Sequence, residues 1–159
     1  MNENHVDQNE IKLMQSCVML VLSIGFVIDS WQIIALQSTI FLLTIINPEF
    51  NPFIALYRTL LRPLNIIKGD WRMDNMPAHR FASMIGLTIS VASVVLLNTG
   101  NDIWGWSLVG LILAFGILAL SGWCAGCYSY YMINKLVGKG FFKHSPIDQS
   151  FPGTRPPKG

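Results

Sequence analysis

Charge is what this sequence has least of. Charged residues make up 13% of its 159 positions, where a water-soluble domain carries about 25%. Hydrophobic residues reach 52%, and the few charges are gathered between long uncharged runs. That pattern excludes an ordinary soluble domain and points to a chain that crosses a bilayer several times. The net charge of +2 is too small to imply a nucleic-acid partner, and none is expected. Cysteine is scarce as well. Cys17, Cys124 and Cys127 are the three present, too few and too unevenly spaced for a secreted disulfide scaffold. The opening residues MNENHVDQNEIK set Glu3, Asp7 and Glu10 against a single Lys12, and no small-residue cleavage site follows. A secretory signal needs both features, so the first apolar run is expected to be a retained helix. No internal repeat is present.

Four apolar segments remain: Leu13–Ile28, Trp31–Ile46, about Arg80–Leu97, and Trp104 to about Tyr131. A spanning helix needs about 20 residues to cross the hydrocarbon core. The last two segments meet that length. The first two are shorter and are expected to extend into the interface or to thin the bilayer locally. If all four span, one side of the membrane receives Lys12, then Arg58, Arg62, Lys68, Arg72 and Arg80, then Lys135, Lys139, Lys143, Arg155 and Lys158, which are all 11 Lys and Arg of the chain. The two short turns on the other side hold only Asp29 and Asp102 among charged residues. Cytoplasmic loops collect Lys and Arg, so both termini are predicted to be cytoplasmic and the protein to be a multi-pass plasma-membrane protein. From Trp104 to Trp123 a helix rises roughly 28 Å at its usual pitch, which places Trp104 and Trp106 at one interface and Trp123, Tyr128, Tyr130 and Tyr131 at the other.

The middle segment carries two stripes at spacings of three and four. One is Phe53, Tyr57, Leu60, Leu64 and Ile67, and the other is Asn51, Ala55, Arg58, Arg62 and Asn65. This predicts an amphipathic helix lying in the interface, kinked by Pro63, with Arg58 and Arg62 toward anionic headgroups. In "DNMPAHRFA", Asp74 or Asn75 can cap the next helix and Pro77 suits its first turn. The expected fold is therefore all-α and integral to the membrane: four transmembrane helices plus an interfacial helix in the middle loop. Residues 1–12 form a polar N-terminal segment, 13–136 the membrane domain, and 137–159 a basic Pro/Gly-rich tail expected to be disordered.

Chemistry concentrates in "SGWCAGCYSYYMINKL". Read as the cytoplasmic end of the last spanning helix, it places Cys124 and Cys127 three residues apart on one face, with Gly122 and Gly126 allowing distortion or close approach of a neighbour. The functional reading is a dithiol that exchanges electrons or carries sulfane sulfur. The plainer reading is that small residues let helices pack. Arg80 and His79, at the start of the third helix, lie at similar depth; a cation and a helix N-terminus both lower a thiol's pKa. Arg80 could equally reach lipid phosphates, and His79 could be a solvated residue of the helix start. A zinc centre normally needs four such ligands. Only His79, Cys17 and His144 could join the pair, and their spacing demands no site, so no metal and no cofactor is expected. Cys17 reads as an apolar filler of the first helix.

The order of "NPFIALYRTLLRPL", "PAHRFA" with Gly86, and "GWCAGCYSYY" resembles the prokaryotic membrane-protein family called domain of unknown function 4395, over roughly Leu13 to Tyr131. The resemblance implies a shared fold, marks Arg80-Phe81-Ala82 and the Gly122, Cys124, Gly126, Cys127 pattern, and hints at thioredoxin-like or rhodanese-like cytoplasmic partners. It supplies no activity. Function therefore stands between a thiol redox or sulfur relay, a small transporter or channel subunit, and a structural subunit, with a homo-oligomer compatible with each. The absence of charges deep within the spans argues against ion-coupled transport by a monomer.

Overall fold

The computed structural model describes residues 5–64, 69–74, 76–137 and 152–155. Among these the chain is helical apart from one short ribbon. The helices are α1 (Gln8–Val27), α2 (Trp31–Ile46), a short α3 (Pro52–Leu56), α4 (Met76–Asn98), α5 (Asp102–Ser121) and α6 (Ala125–Leu136). The ribbon pairs β1 (His5–Asp7) antiparallel with β2 (Trp71–Met73). Three helices, α1, α4 and α5, are long and apolar enough to cross a membrane, and α2, with 16 residues, is a shorter apolar helix.

Helix α1 begins earlier than its apolar run. The Asp7 carboxylate accepts the Asn9 N–H and Glu10 sits in the first turn, two interactions that favour a helix start. Three apolar helices then end in one way. Ser30 N–H bonds back to Gly25 O after α1, Asn101 N–H to Leu96 O after α4, and Trp123 N–H to Leu118 O after α5. In each case the preceding residue, Asp29, Gly100 or Gly122, is left-handed. This six-to-one closure satisfies the last carbonyls and stops the helix.

The last of these stops corrects the expected fourth segment. The chain does not run as one helix from Trp104 to Tyr131: α5 closes at Ser121, Gly122 takes φ 109°, and α6 starts afresh at Ala125. The reason is local. A glycine at this position adopts the left-handed conformation without the Cβ penalty that other residues carry.

The packing is inverted relative to a soluble bundle. Gln37, Ser38, Thr44, Ser90 and Ser93 are buried, while Leu20, Leu36, Val91, Val95 and Ile117 are exposed. An apolar outer surface is compatible with a lipid bilayer, where no hydrophobic force drives helices together and small or polar residues join them. Ser93 Oγ bridges α4 to the Gly105 carbonyl of α5 at 2.9 Å. Asn51 reaches Thr44 Oγ1 at 2.7 Å. The apolar centre is Val18, Leu22, Ile34, Val109 and Ile112.

One end of the bundle gathers the N-terminal residues and the middle segment. Gln8 N–H donates to Asp70 O, and the fully buried Tyr57 donates its hydroxyl to Asp7 Oδ2 at 2.7 Å. Arg58, expected at headgroups, is held by both Glu10 oxygens at 2.9 and 3.0 Å. Arg62 lies 5.3 Å from the Trp71 ring. Instead of continuing as a regular amphipathic helix, α3 widens into a π-turn at Tyr57–Leu61, with Arg62 N–H bonded to Tyr57 O. Pro63 would crowd the carbonyl four residues back, and the wider turn lies just ahead of it. Asn65 and Ile67 of the two expected stripes lie outside the described residues.

Candidate functional site

The stop at Gly122 decides what the two cysteines become. Trp123 pairs with Thr154 as a short bridge, and Cys124, at φ −98° and ψ 110°, is the N-cap of α6. The side chains of Cys124 and Cys127 therefore do not lie along a continuing span. Cys124 Sγ instead accepts the Cys127 backbone N–H at 3.3 Å, one of the orphan donors of the new helix start. The tail strand holds the cap from outside: Cys124 N–H donates to Gly153 O at 2.8 Å and Arg155 N–H to Gly122 O at 2.9 Å. Most of the tail expected to be disordered lies outside the described residues; its 152–155 stretch is this strap.

Helix α6 rests on α4 through its smallest residue. A Cβ on Gly126 would lie 2.5 Å from Ala82 Cβ and 2.7 Å from its Cα, so only glycine allows this approach. The contact brings the buried Cys127 against Ala78 and Tyr131 and places its Sγ 3.8 Å from His79 Nδ1. The other ring nitrogen, Nε2, lies 2.9 Å from Asp74 Oδ2. The same carboxylate oxygen accepts Gln8 Nε2 at 2.7 Å. Gln8, Asp74, His79, Cys127 and Cys124 thus form one continuous polar chain from the start of α1, past the start of α4, to the cap of α6.

The two thiols are driven apart in acidity. Cys124 is lowered from the ordinary 9.0 to about 6. The largest cause is a hydrogen bond from the Cys127 thiol, opposed by burial and helped by the Cys127 N–H, the His79 charge and the Gly126 N–H. Cys127 is pushed up, first by donating that hydrogen bond and then by burial and the neighbouring Cys124 charge. A thiolate held on a helix start next to a neutral thiol is the nucleophile of such a pair. All three cysteines are free.

The expected residues separate accordingly. Cys124, Cys127 and His79 come together. Arg80, expected to supply the cation, is exposed; one residue along a helix turns its side chain about 100° from His79. Cys17 is on α1 and joins no cluster of metal-ligating side chains among the described residues, and His144 lies outside them. Asp74 and Gln8 were not singled out by sequence as part of the site. Asp74 suits a helix cap by sequence, yet its carboxylate bonds an imidazole five residues on.

The sequence profile of a domain of unknown function, DUF4395, matches residues 6–135. The chain belongs to this family. No curated protein and no solved structure matches it. The matched stretch of the DUF4395 chain contains every member of the polar chain from Gln8 to Cys127, whereas the 152–155 strap lies beyond it.

Proposed function

We propose that this DUF4395 chain is a membrane thiol protein in which Cys124 is the attacking thiolate, Cys127 the resolving thiol, and His79, oriented by Asp74, the acceptor of the Cys127 proton. The observation that carries this reading is the capping geometry: Cys124 Sγ on the first turn of α6, with an imidazole 3.8 Å from Cys127. In exchange, the Cys124 thiolate attacks one sulfur of a partner disulfide and expels the other as a thiolate. Cys127 passes its proton to the neutral form of His79 and attacks Cys124, leaving a Cys124–Cys127 disulfide and a reduced partner. A partner persulfide would be attacked at its outer sulfur in the same manner, moving one sulfur atom to Cys124. The partner suited to this chemistry is a thioredoxin-like or rhodanese-like protein in the cytoplasm.

The sidedness follows from charge. With α1, α2, α4 and α5 all spanning, every Lys and Arg falls on the side of the termini and the middle segment, which makes that side cytoplasmic in the plasma membrane. The meeting of β1, β2 and the 152–155 strap around one end supports the same arrangement. Helix α2 is the short member, about 24 Å at the usual rise, and local thinning accommodates it.

A charged maleimide that does not cross bilayers tests both parts. Labelling of Cys124 in inside-out vesicles and protection in right-side-out vesicles is the expected result. Labelling only in right-side-out vesicles overturns the orientation. No labelling in either, with a silent Cys124→Ala variant, selects a packing role for the cysteines, the reading favoured by the tight Gly126–Ala82 contact.

A further inference from the structure

Behind the thiol pair, among the apolar helices, lies a cavity of about 140 Å³. Its walls come from α1, α2, α4, α5 and the start of α6, and its lining is mostly apolar, with Phe41, Ile112 and Phe115 among it. Four polar residues interrupt it: Cys124, His79, Gln15 and Ser83, whose hydroxyl is already donated to His79 O. The Gln15 Oε1 atom is buried with no hydrogen-bond partner among the described residues. An unpaired buried amide oxygen is costly, about 1–3 kcal/mol, and it asks for a donor inside the cavity. A space of about 150 Å³ lined by apolar side chains accepts one benzene-sized ring.

We propose that this cavity binds the ring of a membrane-dissolved quinone and that the Cys124–Cys127 pair reduces it. The occupant must be apolar enough to reach the site through lipid, accept two electrons beside a thiolate, and carry an oxygen that donates to Gln15 Oε1 once it is reduced to O–H. A lipid acyl chain meets only the first requirement. The inference rests on the thiol reading above and names the substrate of that same site.

The step balances as follows. The Cys124 thiolate adds to a ring carbon, forming a C–S bond and placing negative charge on a ring oxygen. Cys127 gives its proton to His79 and attacks Cys124 Sγ. The S–S bond forms as the C–S bond breaks, and the bonding pair stays with the ring. The two ring oxygens take up two protons, one from Cys127 by way of His79 and one from solvent. A dithiol is thereby oxidised to a disulfide and a quinone reduced to a hydroquinone, whose O–H satisfies Gln15 Oε1.

The test uses the full chain with Cys17→Ser, reduced and held anaerobically in lipid nanodiscs, and a short-chain benzoquinone, decyl-ubiquinone, as probe. The expected result is loss of two thiols for each quinone consumed, with hydroquinone appearing. Replacing the cavity residue Ala119 by Phe slows this reaction by about tenfold or more, the equivalent of 1.4 kcal/mol of lost binding, whereas Leu118→Phe on the exposed side of α5 does not. Cys127→Ser, which needs no cavity change, accumulates a covalent quinone adduct on Cys124, read as added mass. Thiols that survive excess quinone while Cys124 still exchanges with a soluble disulfide overturn the quinone inference and leave the thiol function standing. Thiols inert to both overturn the thiol function. Reduction unchanged by Ala119→Phe in a chain with wild-type melting behaviour also overturns the inference, since it places the reaction outside the cavity.

Discussion

The acidity of Cys124 can be read directly from its alkylation rate. With its pKa lowered from 9.0 to about 6, the sign is fixed: the thiolate share rises as pH rises through 6 and is nearly complete at pH 7. An ordinary thiol at pH 7 is about one-hundredth ionised while Cys124 is about nine-tenths ionised, a gain of about 90-fold. Intrinsic nucleophilicity falls with basicity, by about twentyfold for this drop. The net advantage over an unfolded reference peptide is thus only about fourfold at pH 7, and it grows to about fortyfold at pH 5, where the reference is almost wholly protonated. Iodoacetamide labelling across pH 4–9, with the modified cysteine identified by mass spectrometry, measures the midpoint. Because the Cys127 thiol is the largest cause and the His79 charge a smaller one, Cys127→Ala raises the midpoint most and His79→Ala raises it less. A wild-type midpoint near 9, or a larger shift from His79→Ala than from Cys127→Ala, refutes the reasoning.

Three further outcomes follow from the same geometry. Gly122→Ala meets no atom within 4 Å but must adopt φ 109°, so it costs about 1–2 kcal/mol by strain alone; it lowers thermal stability and raises the Cys124 midpoint, because the cap is displaced. Gly153→Ala drives a Cβ to 2.8 Å from Cys124 O at a left-handed φ, which detaches the strap and speeds maleimide labelling of Cys124; unchanged labelling would show that the strap does not cover the sulfur. Gln37 is fully buried with both amide atoms unpartnered among the described residues, so Gln37→Leu raises stability against denaturant by about 1–3 kcal/mol, and a loss of stability would show that the amide is engaged.

What could be read from the sequence was whatever depends on burial and charge averaged over a helix. The all-α class, the bounds of α2 and the existence of α4 came from apolar run length, which a bilayer enforces almost without regard to detail. What escaped depended on a single backbone angle. Apolar residues continue on both sides of Gly122, so hydropathy passes straight through the break between α5 and α6, and only the left-handed preference of glycine marks it. That one angle turns the cysteines from two positions on a helix face into a cap and its N3 donor, and it changes the reason for their acidity. On a continuous helix a cation would have had to come from elsewhere, which made Arg80 the natural helper. At a helix start the Cys127 thiol and the backbone N–H groups do most of that work, and the adjoining His79 charge adds a smaller share. The Asp74–His79 contact escaped for a related reason. Asp74 lies outside α4 and His79 inside it, so no helical spacing joins them, and only the turn into the helix, with Pro77 between, brings carboxylate and ring together.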